Sequence, residues 1–189
     1  MKIALYFGSF NPIHIGHLII ANHVLSFCDV RQLWFVVSPH NPLKESSSLL
    51  KETHRFRMVQ IAVDNEPRMR ASNFEFKLPR PSYTIDSMTY LCEKYPQHEF
   101  QILMGSDSFS NIKKWKNYQV LLKQFKLLIY NRPGFPIDLT ISNNIEILNA
   151  PLLDISSTYI RSLIKEKKSI RYLLPDVVID EILSNHYYQ

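Results

Sequence analysis

The sequence predicts an α/β fold in which helices cover both faces of an open, doubly wound parallel sheet. Four short runs are apolar at successive positions, which is typical of strands buried on both faces. These runs are residues 3–7, 33–37, 100–104 and 127–130. Segments with a helical spacing of apolar residues separate the runs, so strands and helices alternate along the chain. This alternation favours parallel strands joined by right-handed crossovers.

The helices are predicted from apolar stripes that repeat every three or four residues. The predicted helices span residues 14–27, 85–95, 156 to about 167, and 176 to about 186. Pro175 stands immediately before the last of them, which is a common position for proline at a helix start. The C-terminal part of the chain, about 156–189, is therefore expected to be helical.

The length and composition are those of one folded domain. The chain has 189 residues, of which 46% are hydrophobic and 21% are charged, and this balance excludes a disordered chain. We expect a single domain over residues 1–189. The apolar stretch at residues 1–7 is too short for a signal peptide or a membrane span. The sequence therefore predicts a cytoplasmic protein without a membrane partner.

An excess of basic residues indicates an anionic partner. Lys and Arg number 22 against 17 Asp and Glu, which gives a net charge of +5 and an isoelectric point near 9.1. The basic residues lie at motif loops rather than along one surface interleaved with aromatics, so a nucleic-acid-binding module is the weaker alternative and no nucleic-acid partner is expected. Cys28 and Cys92 lack the spacing of a metal or redox pair. The oligomeric state stays open, a homo-oligomer included.

Glycine positions suggest where a ligand binds. The chain has only four glycines, and three of them, Gly8, Gly105 and Gly134, follow predicted strands. Ligands of open α/β sheets bind beyond the carboxyl ends of the strands, where glycine permits close approach to the backbone. Each glycine taken alone could also serve only to turn the chain.

The segment after the first strand, residues 8–17, reads GSFNPIHIGH. It lacks the glycine patterns of dinucleotide-binding and P-loop motifs, but it places a loop before a helix N-terminus, which attracts anions. His14 and His17 are three residues apart on one helix face, with Gly16 between them, and their imidazoles can donate to phosphate oxygens. Zinc binding is a weaker alternative because no third ligand is evident, and we expect no protein-bound metal site.

This segment resembles the phosphate-binding signature of the nucleotidyltransferase superfamily. Class I aminoacyl-tRNA synthetases share that signature, but this chain is too short for one and has no KMSKS-like segment. Residues 155–161, ISSTYIR, are instead similar to the ISSTxIR motif of small adenylyltransferases. Its hydroxyls, amides and Arg161 can converge on one anion, although the segment alone could be an ordinary helix N-cap.

Three further segments narrow the resemblance. They are SPHNPLK at residues 38–44, SYTID at 82–86, and GSDSF at 105–109, which leads into Trp115. Together they resemble bacterial nicotinate-nucleotide adenylyltransferases over nearly the whole chain, which implies a Rossmann-like nucleotidyltransferase fold. Two positions depart from the family pattern. His40 precedes Pro42 and Lys44 in an unusual order, and Lys116 follows Trp115 where an aromatic residue is common.

The resemblance implies adenylyl transfer from ATP to nicotinate mononucleotide, giving nicotinate adenine dinucleotide and pyrophosphate in NAD biosynthesis. The nucleophile is the phosphate of the mononucleotide, so catalysis consists of holding two polyanions in line and stabilising charge. Mg²⁺ is expected to arrive with ATP. A phosphopantetheine adenylyltransferase is the nearest alternative, although it would lack the SYTID and GSDSF-to-Trp arrangement, and nicotinamide mononucleotide is a further alternative acceptor.

The resemblance also implies roles for individual residues, with His14 and His17 as the catalytic phosphate contacts. The implied ATP site comprises Gly8, Ser9, Phe10, His14, His17, Gly105, Asp107, Arg132, Ser156, Ser157 and Arg161. The implied mononucleotide site comprises Asn11, Lys44, Tyr83, Thr84 and Trp115. Asp107 could also cap a helix beginning near Ser108, and Trp115 could also anchor its loop. Whether Arg132 faces the phosphates stays open.

Overall fold

The strands of one parallel sheet form the centre of the structure. The computed structural model describes residues 1–39, 49–151 and 153–189. Its six strands are β1 (Lys2–Gly8), β2 (Gln32–Val37), β3 (Met69–Ser72), β4 (Glu99–Gly105), β5 (Lys126–Tyr130) and β6 (Ile145–Leu148). Every neighbouring pair among these strands is parallel, and their order is β3-β2-β1-β4-β5-β6. The predicted doubly wound parallel sheet is confirmed.

Seven α-helices lie among the described residues. They are α1 (Ile15–Phe27), α2 (Glu52–Val63), α3 (Thr84–Lys94), α4 (Ser106–Phe109), α5 (Tyr118–Gln124), α6 (Ser157–Lys165) and α7 (Asp176–Ser184). Three short 3₁₀ turns span Phe74–Lys77, Ile112–Lys114 and Leu139–Ile141. The four predicted helices are confirmed with ends that differ by one or two residues. None of the helices in the described part of the chain is long and apolar enough to cross a membrane.

Alternate residues of the strands enter two separate hydrophobic cores, one on each face of the sheet. Ala4 and Tyr6 of β1 contribute to the core beneath α1, α2, α6 and α7. Ile3 and Leu5 contribute to the core beneath α3, α4 and α5. The successive apolar residues that predicted the strands are therefore explained by burial on both faces.

The strand order reverses between β1 and β4, which lie side by side at the centre of the sheet. At such a reversal the connections leave the two central strands toward opposite faces, and a crevice opens beyond their carboxyl ends. Gly8 ends β1 and Gly105 ends β4, so two of the glycines singled out by the sequence lie at this crevice.

Two α-helices, α2 and α5, and two strands, β3 and β6, are absent from the sequence prediction. β3 and β6 are four-residue edge strands with only one buried residue each, which leaves too little pattern to recognise. α2 is longer, but its buried face consists of Arg55, Met58, Val59 and Val63. The arginine interrupts the apolar stripe that would otherwise indicate an amphipathic helix.

Arg55 holds together the loops at the carboxyl edge of the sheet. Its side chain is fully buried, and its Nε donates to the carbonyl of Leu50 at 2.8 Å. The terminal nitrogens donate to the carbonyls of Ser9, of Ser38 at 2.9 Å and of Pro39 at 3.0 Å. The guanidinium thereby joins the loop after β1 to the loop after β2.

Replacement of Arg55 should destabilise the fold. In Arg55→Met four main-chain carbonyls lose their shared donor, which is itself fully buried, and we expect the free energy of unfolding to fall by about 3 kcal/mol. Urea unfolding at unchanged m-value measures the effect. The matched control is Arg57→Met, because Arg57 is an exposed arginine of the same helix. Equal midpoints for the two variants would contradict a structural role of Arg55.

Candidate active site

A cleft of about 680 Å³ opens at the carboxyl edge of the sheet, above β1 and β4. All of the predicted site residues except Lys44 contribute to its lining. Lys44 and His40 lie outside the described residues, so the predictions for them stay predictions. Gly134 lies four residues beyond the carboxyl end of β5, as the sequence predicts, and it does not contribute to the lining of this cleft. A ligand contact at this glycine stays a prediction.

The loop after β1 is folded tightly over the sheet. Phe10 has a positive φ of 44°, which a non-glycine residue rarely adopts, and its side chain is only 2% exposed. A Cβ atom at Gly8 would lie 2.9 Å from the ring of Phe10. Any larger residue at position 8 would therefore displace the buried ring of Phe10. The ring of Phe10 packs edge-on against that of His17, with centroids 5.1 Å apart, so Phe10 supports the histidine rather than offering a large surface to a ligand.

The two predicted histidines stack on each other at the start of α1. Their ring centroids are 3.7 Å apart, and the main-chain N–H of His14 donates to Nδ1 of His17 at 3.2 Å. Because Nδ1 accepts, the proton of a neutral His17 ring belongs on Nε2, which then acts as a donor. Burial, together with the nearby charge of Arg132, lowers the pKa of His14 to about 4. At neutral pH His14 is therefore uncharged.

The start of α6 is fastened to the loop after β1. Ser156 caps the helix by accepting from the main-chain N–H of Tyr159 at 3.1 Å. Ser157 Oγ donates to the carbonyl of Pro12 at 2.8 Å, and Arg161 Nη1 donates to the carbonyl of Asn11 at 2.9 Å. The N-cap interpretation of this motif is correct for Ser156. It is compatible with anion binding, because the N-terminus of α6 and Arg161 also face the cleft.

Asn11 is held by contacts that the sequence did not indicate. It is only 3% exposed, and its Oδ1 accepts from the main-chain N–H of Leu50 at 3.2 Å and from the hydroxyl of Tyr188 at 3.0 Å. The C-terminal segment therefore helps to position the loop after β1. Nothing near Tyr188 in the sequence distinguishes it from other tyrosines.

Asp107 and Arg132 form an ion pair across the ends of β4 and β5, with Arg132 Nε 3.4 Å from Asp107 Oδ1. The helix α4 begins at Ser106 with Gly105 as its N-cap, so the alternative prediction that Asp107 is an N-cap is wrong. A Cβ at Gly105 would clash with the Asp107 carboxylate and lie 3.0 Å from the Tyr130 ring, so a side chain here would disturb both residues. The carboxylate lies instead in the first helical turn and contributes to the cleft lining.

The sequence also contains no indication of a pair of tyrosines, Tyr6 and Tyr130, that supports Arg132. The hydroxyl of Tyr6 donates to that of Tyr130 at 3.1 Å, and Arg132 Nη2 donates to Tyr130 at 3.3 Å. Burial raises the pKa of Tyr6 well above its ordinary value, so its hydroxyl stays protonated. The chain of contacts fixes Arg132 against the cleft wall.

The other end of the cleft has an aromatic wall. Tyr83 is the N-cap of α3, Thr84 is its first residue, and Trp115 is a half-buried residue that follows a 3₁₀ turn. Trp115 also packs partly against the hydrophobic core, so its role as a loop anchor holds alongside its place in the cleft. The ammonium of Lys116 lies 5.0 Å from the centre of the Tyr83 ring.

The charged side chains near this wall have partners and positions that the local sequence does not indicate. Lys116 Nζ forms an ion pair with Asp86 of α3 at 2.9 Å, a partner thirty residues away in the chain. Lys114 and Lys116 line the cleft, whereas Lys113 does not.

Glu75, from the 3₁₀ turn after β3, also lines the cleft and is 2% exposed. Nothing in the segment FEFK suggests that this glutamate is functional.

The described residues contain no group of three or more His, Cys, Asp or Glu side chains that could hold a metal ion. Asp107, one of the carboxylates in the cleft, pairs with Arg132. The donor set of this part of the chain suits anions rather than a divalent cation held by protein alone.

Comparison with known proteins identifies the family. The Cytidylyltransferase-like family profile matches residues 5–163. A probable nicotinate-nucleotide adenylyltransferase of Cytophaga hutchinsonii is 50% identical over 189 residues, which is 100% of this chain and 98% of the relative. That of Flavobacterium johnsoniae is 46% identical and matches 100% of each chain. This chain belongs to the nicotinate-nucleotide adenylyltransferase family.

Solved structures agree with the family fold. The nicotinic acid mononucleotide adenylyltransferase of Plasmodium falciparum, solved with NaAD, superposes with a TM-score of 0.83. It is 22% identical and the match covers 99% of this chain and 97% of that one. A putative nicotinate-nucleotide adenylyltransferase of Vibrio parahaemolyticus gives a TM-score of 0.72 at 18% identity, over 99% and 94% of the two chains. The resemblance inferred from the motifs is confirmed, and so is the Rossmann-like nucleotidyltransferase fold.

The buried neutral state of His14 should make stability depend on pH. Its pKa falls from an ordinary 6.5 to about 4 in the folded protein, so between these values the unfolded chain binds more protons. Stability should therefore fall as the pH falls from 6.5 toward 4, by about 3 kcal/mol from this residue.

Urea unfolding across this pH range measures the effect as a difference from His14→Gln, which should lose it. His186→Gln is the control, because His186 is exposed at the end of the chain. An unchanged pH profile in His14→Gln would show that this histidine is not the group responsible.

Proposed function

We infer that this chain transfers the adenylyl group of ATP to nicotinate mononucleotide, giving nicotinate adenine dinucleotide and pyrophosphate. Family membership over the full length of the chain supports the reaction. One observation carries the chemistry: the stacked histidines, Arg132, Arg161 and the N-termini of α1 and α6 converge in one cleft, which also has an aromatic wall. The histidines, arginines and helix N-termini suit phosphates, and the aromatic wall suits a flat ring.

The chemistry needs no nucleophile from the protein. An oxygen of the mononucleotide phosphate attacks the α-phosphorus of ATP and forms the new P–O bond. The bond from the α-phosphorus to the bridging oxygen breaks, and pyrophosphate leaves with that electron pair. The protein contributes by aligning two polyanions and stabilising the charge that develops.

We propose that the histidine pair acts on this developing charge. His17 offers Nε2–H, because its Nδ1 is occupied by the main chain of His14. His14 supplies a neutral imidazole, because its pKa is lowered to about 4. Hydrogen bonds from fixed donors in a partly dehydrated site favour the transition state, and neutral donors do so without a large penalty for burial.

The remaining ATP contacts follow from position. Arg161 and the hydroxyls of Ser156 and Ser157 lie at the N-terminus of α6, where the β- and γ-phosphates are proposed to bind. Arg132 is held by Tyr130 and Asp107 and is proposed to face the phosphates. Asp107 is proposed to accept from the ribose of ATP. Ser9, Gly8 and Gly105 offer main-chain approach at the strand ends.

Mg²⁺ is proposed to bind with ATP. The described residues fit an ion carried by phosphate oxygens, since they offer anion donors and no group of three acidic or histidine ligands. When bound, the ion would offset the negative charge of the leaving pyrophosphate.

The acceptor is proposed to place its pyridine ring at the aromatic wall. Trp115 and Tyr83 offer ring faces, and Thr84 offers a hydroxyl and a free main-chain N–H at the start of α3. These groups favour a flat aromatic acceptor over the flexible chain of phosphopantetheine.

Assays of pyrophosphate release test the assignment. Nicotinate mononucleotide, nicotinamide mononucleotide and phosphopantetheine are each supplied with ATP at matched concentrations. The assignment requires the two pyridine substrates to react faster than phosphopantetheine. A parallel oligonucleotide titration over a range of salt concentrations checks nucleic-acid binding.

Removal of the His17 imidazole should slow turnover while leaving the fold intact. In His17→Ala we expect kcat to fall by about two to three powers of ten, the scale for loss of one preorganised donor. Steady-state kinetics and the thermal midpoint measure the two effects. The control is His23→Ala, on the same helix but outside the cleft. Activity within a factor of about two of wild type would rule out the phosphate contact, and a trapped phosphohistidine would rule out direct transfer.

The acceptor preference should favour the nicotinate form. Its carboxylate only accepts hydrogen bonds, and the wall offers donors from Thr84, main-chain amides and Lys116. We expect kcat/KM for nicotinate mononucleotide to exceed that for nicotinamide mononucleotide by at least about tenfold, or roughly 1.4 kcal/mol.

Lysine variants examine the basis of that preference. Lys116→Met should lower the ratio of the two kcat/KM values. Lys113→Met should leave this ratio unchanged, because Lys113 does not line the cleft. Equal rates for the two wild-type substrates would contradict the nicotinate assignment and leave the transfer chemistry intact.

A further inference from the structure

Glu75 is a buried carboxylate in the wall of a cleft built for anions. It is 2% exposed, and it lies in the short turn after β3. Oε2 accepts from Ser82 Oγ at 3.2 Å and Oε1 accepts from Ser87 Oγ at 2.5 Å. Glu75 has no ion-pair partner among the described residues, and the groups that contact its oxygens are uncharged hydroxyls.

Such a carboxylate is costly in this place. Burial raises the pKa of Glu75 above its ordinary value, which shows that the cleft wall disfavours the charged form. The charge also repels the phosphates of both substrates. A cationic group of a ligand would offset this penalty and favour the ionised form of Glu75.

The position of Glu75 indicates which part of a ligand it faces. Ser82, its hydrogen-bond partner, directly precedes Tyr83 and Thr84 of the aromatic wall, and all four residues line the cleft. Under the proposed function, that wall holds the pyridine ring. The ring nitrogen is bonded to ribose in nicotinate mononucleotide and therefore carries a positive charge.

We propose that Glu75 is a specificity-determining residue that selects acceptors with a positively charged pyridinium ring. This inference rests on the proposed function. The carboxylate pairs with the positive ring of the acceptor, because no described side chain offers Glu75 a positive charge. Ser82 and Ser87 fix the orientation of the carboxylate. The enzyme thereby distinguishes oxidised pyridine mononucleotides from their dihydropyridine forms, which have the same phosphate and ribose and an uncharged ring.

Parallel kinetics with the two ring states test the proposal. The substrates are nicotinate mononucleotide and its chemically reduced dihydro form, each with ATP. Wild type should prefer the charged ring. In Glu75→Gln, which keeps the shape and most hydrogen bonds, the ratio of kcat/KM values should fall by about tenfold. The fall in the ratio should come from a lower kcat/KM for the substrate with the charged ring. Reduced repulsion of phosphate alone would raise kcat/KM for both substrates, because both carry the same phosphate.

Two further variants separate charge from structure. Glu75→Asp keeps the charge and should retain the preference even if both rates fall. Glu99→Gln removes an exposed carboxylate at the amino end of β4, away from the cleft, and should change neither value. An equal loss for both substrates in Glu75→Gln, or an unchanged ratio, would overturn the proposal.

Equilibrium dialysis of each ring state keeps this result separate from the proposed reaction. If wild type released no pyrophosphate with either substrate, the proposed function would fail. Tighter binding of the charged ring that is lost in Glu75→Gln would still support the role of Glu75. Equal binding of the two forms by wild type would overturn it.

Discussion

The buried guanidinium of Arg55 is the interaction on which the binding edge of the sheet depends. Parallel strands deliver their loops to one edge, but nothing in the sheet itself orders those loops relative to one another. Arg55 joins the loop after β1 to the loop after β2 through main-chain carbonyls, which are present whatever the side chains are. The loop after β1 is then free to use its side chains for chemistry, and it is fastened from the other side by Ser157 and Arg161 of α6.

Because the loop is fixed from both sides, its strained geometry can persist. Phe10 keeps a positive φ and a buried ring, and Gly8 leaves room for that ring. The ring supports His17, whose Nδ1 is fixed by the main chain of His14. The result is a donor whose position and tautomer are settled before substrate binds, so little reorganisation is required during the reaction.

The sequence predicted the central strands, four helices and most of the cleft, because local signals mark them. Double-sided burial marks β1, β2, β4 and β5, and contiguous motifs mark the helix starts. It missed α2 because a charged residue, Arg55, occupies a core position, and it missed β3 and β6 because short edge strands carry little pattern. It also missed Glu75 and the pairing of Lys116 with Asp86, since both depend on contacts between distant segments.

The distribution of charge in the cleft also bears on turnover. A site that held pyrophosphate with many cations would bind the product as firmly as the transition state, and release would then limit the rate. Here burial and Arg132 keep His14 neutral, helix N-termini supply partial charges, and Asp107 offsets part of the charge of Arg132. Under the proposed function, these groups stabilise charge through orientation more than through net positive charge. The cleft can therefore favour the transition state of adenylyl transfer and still release a polyanionic product.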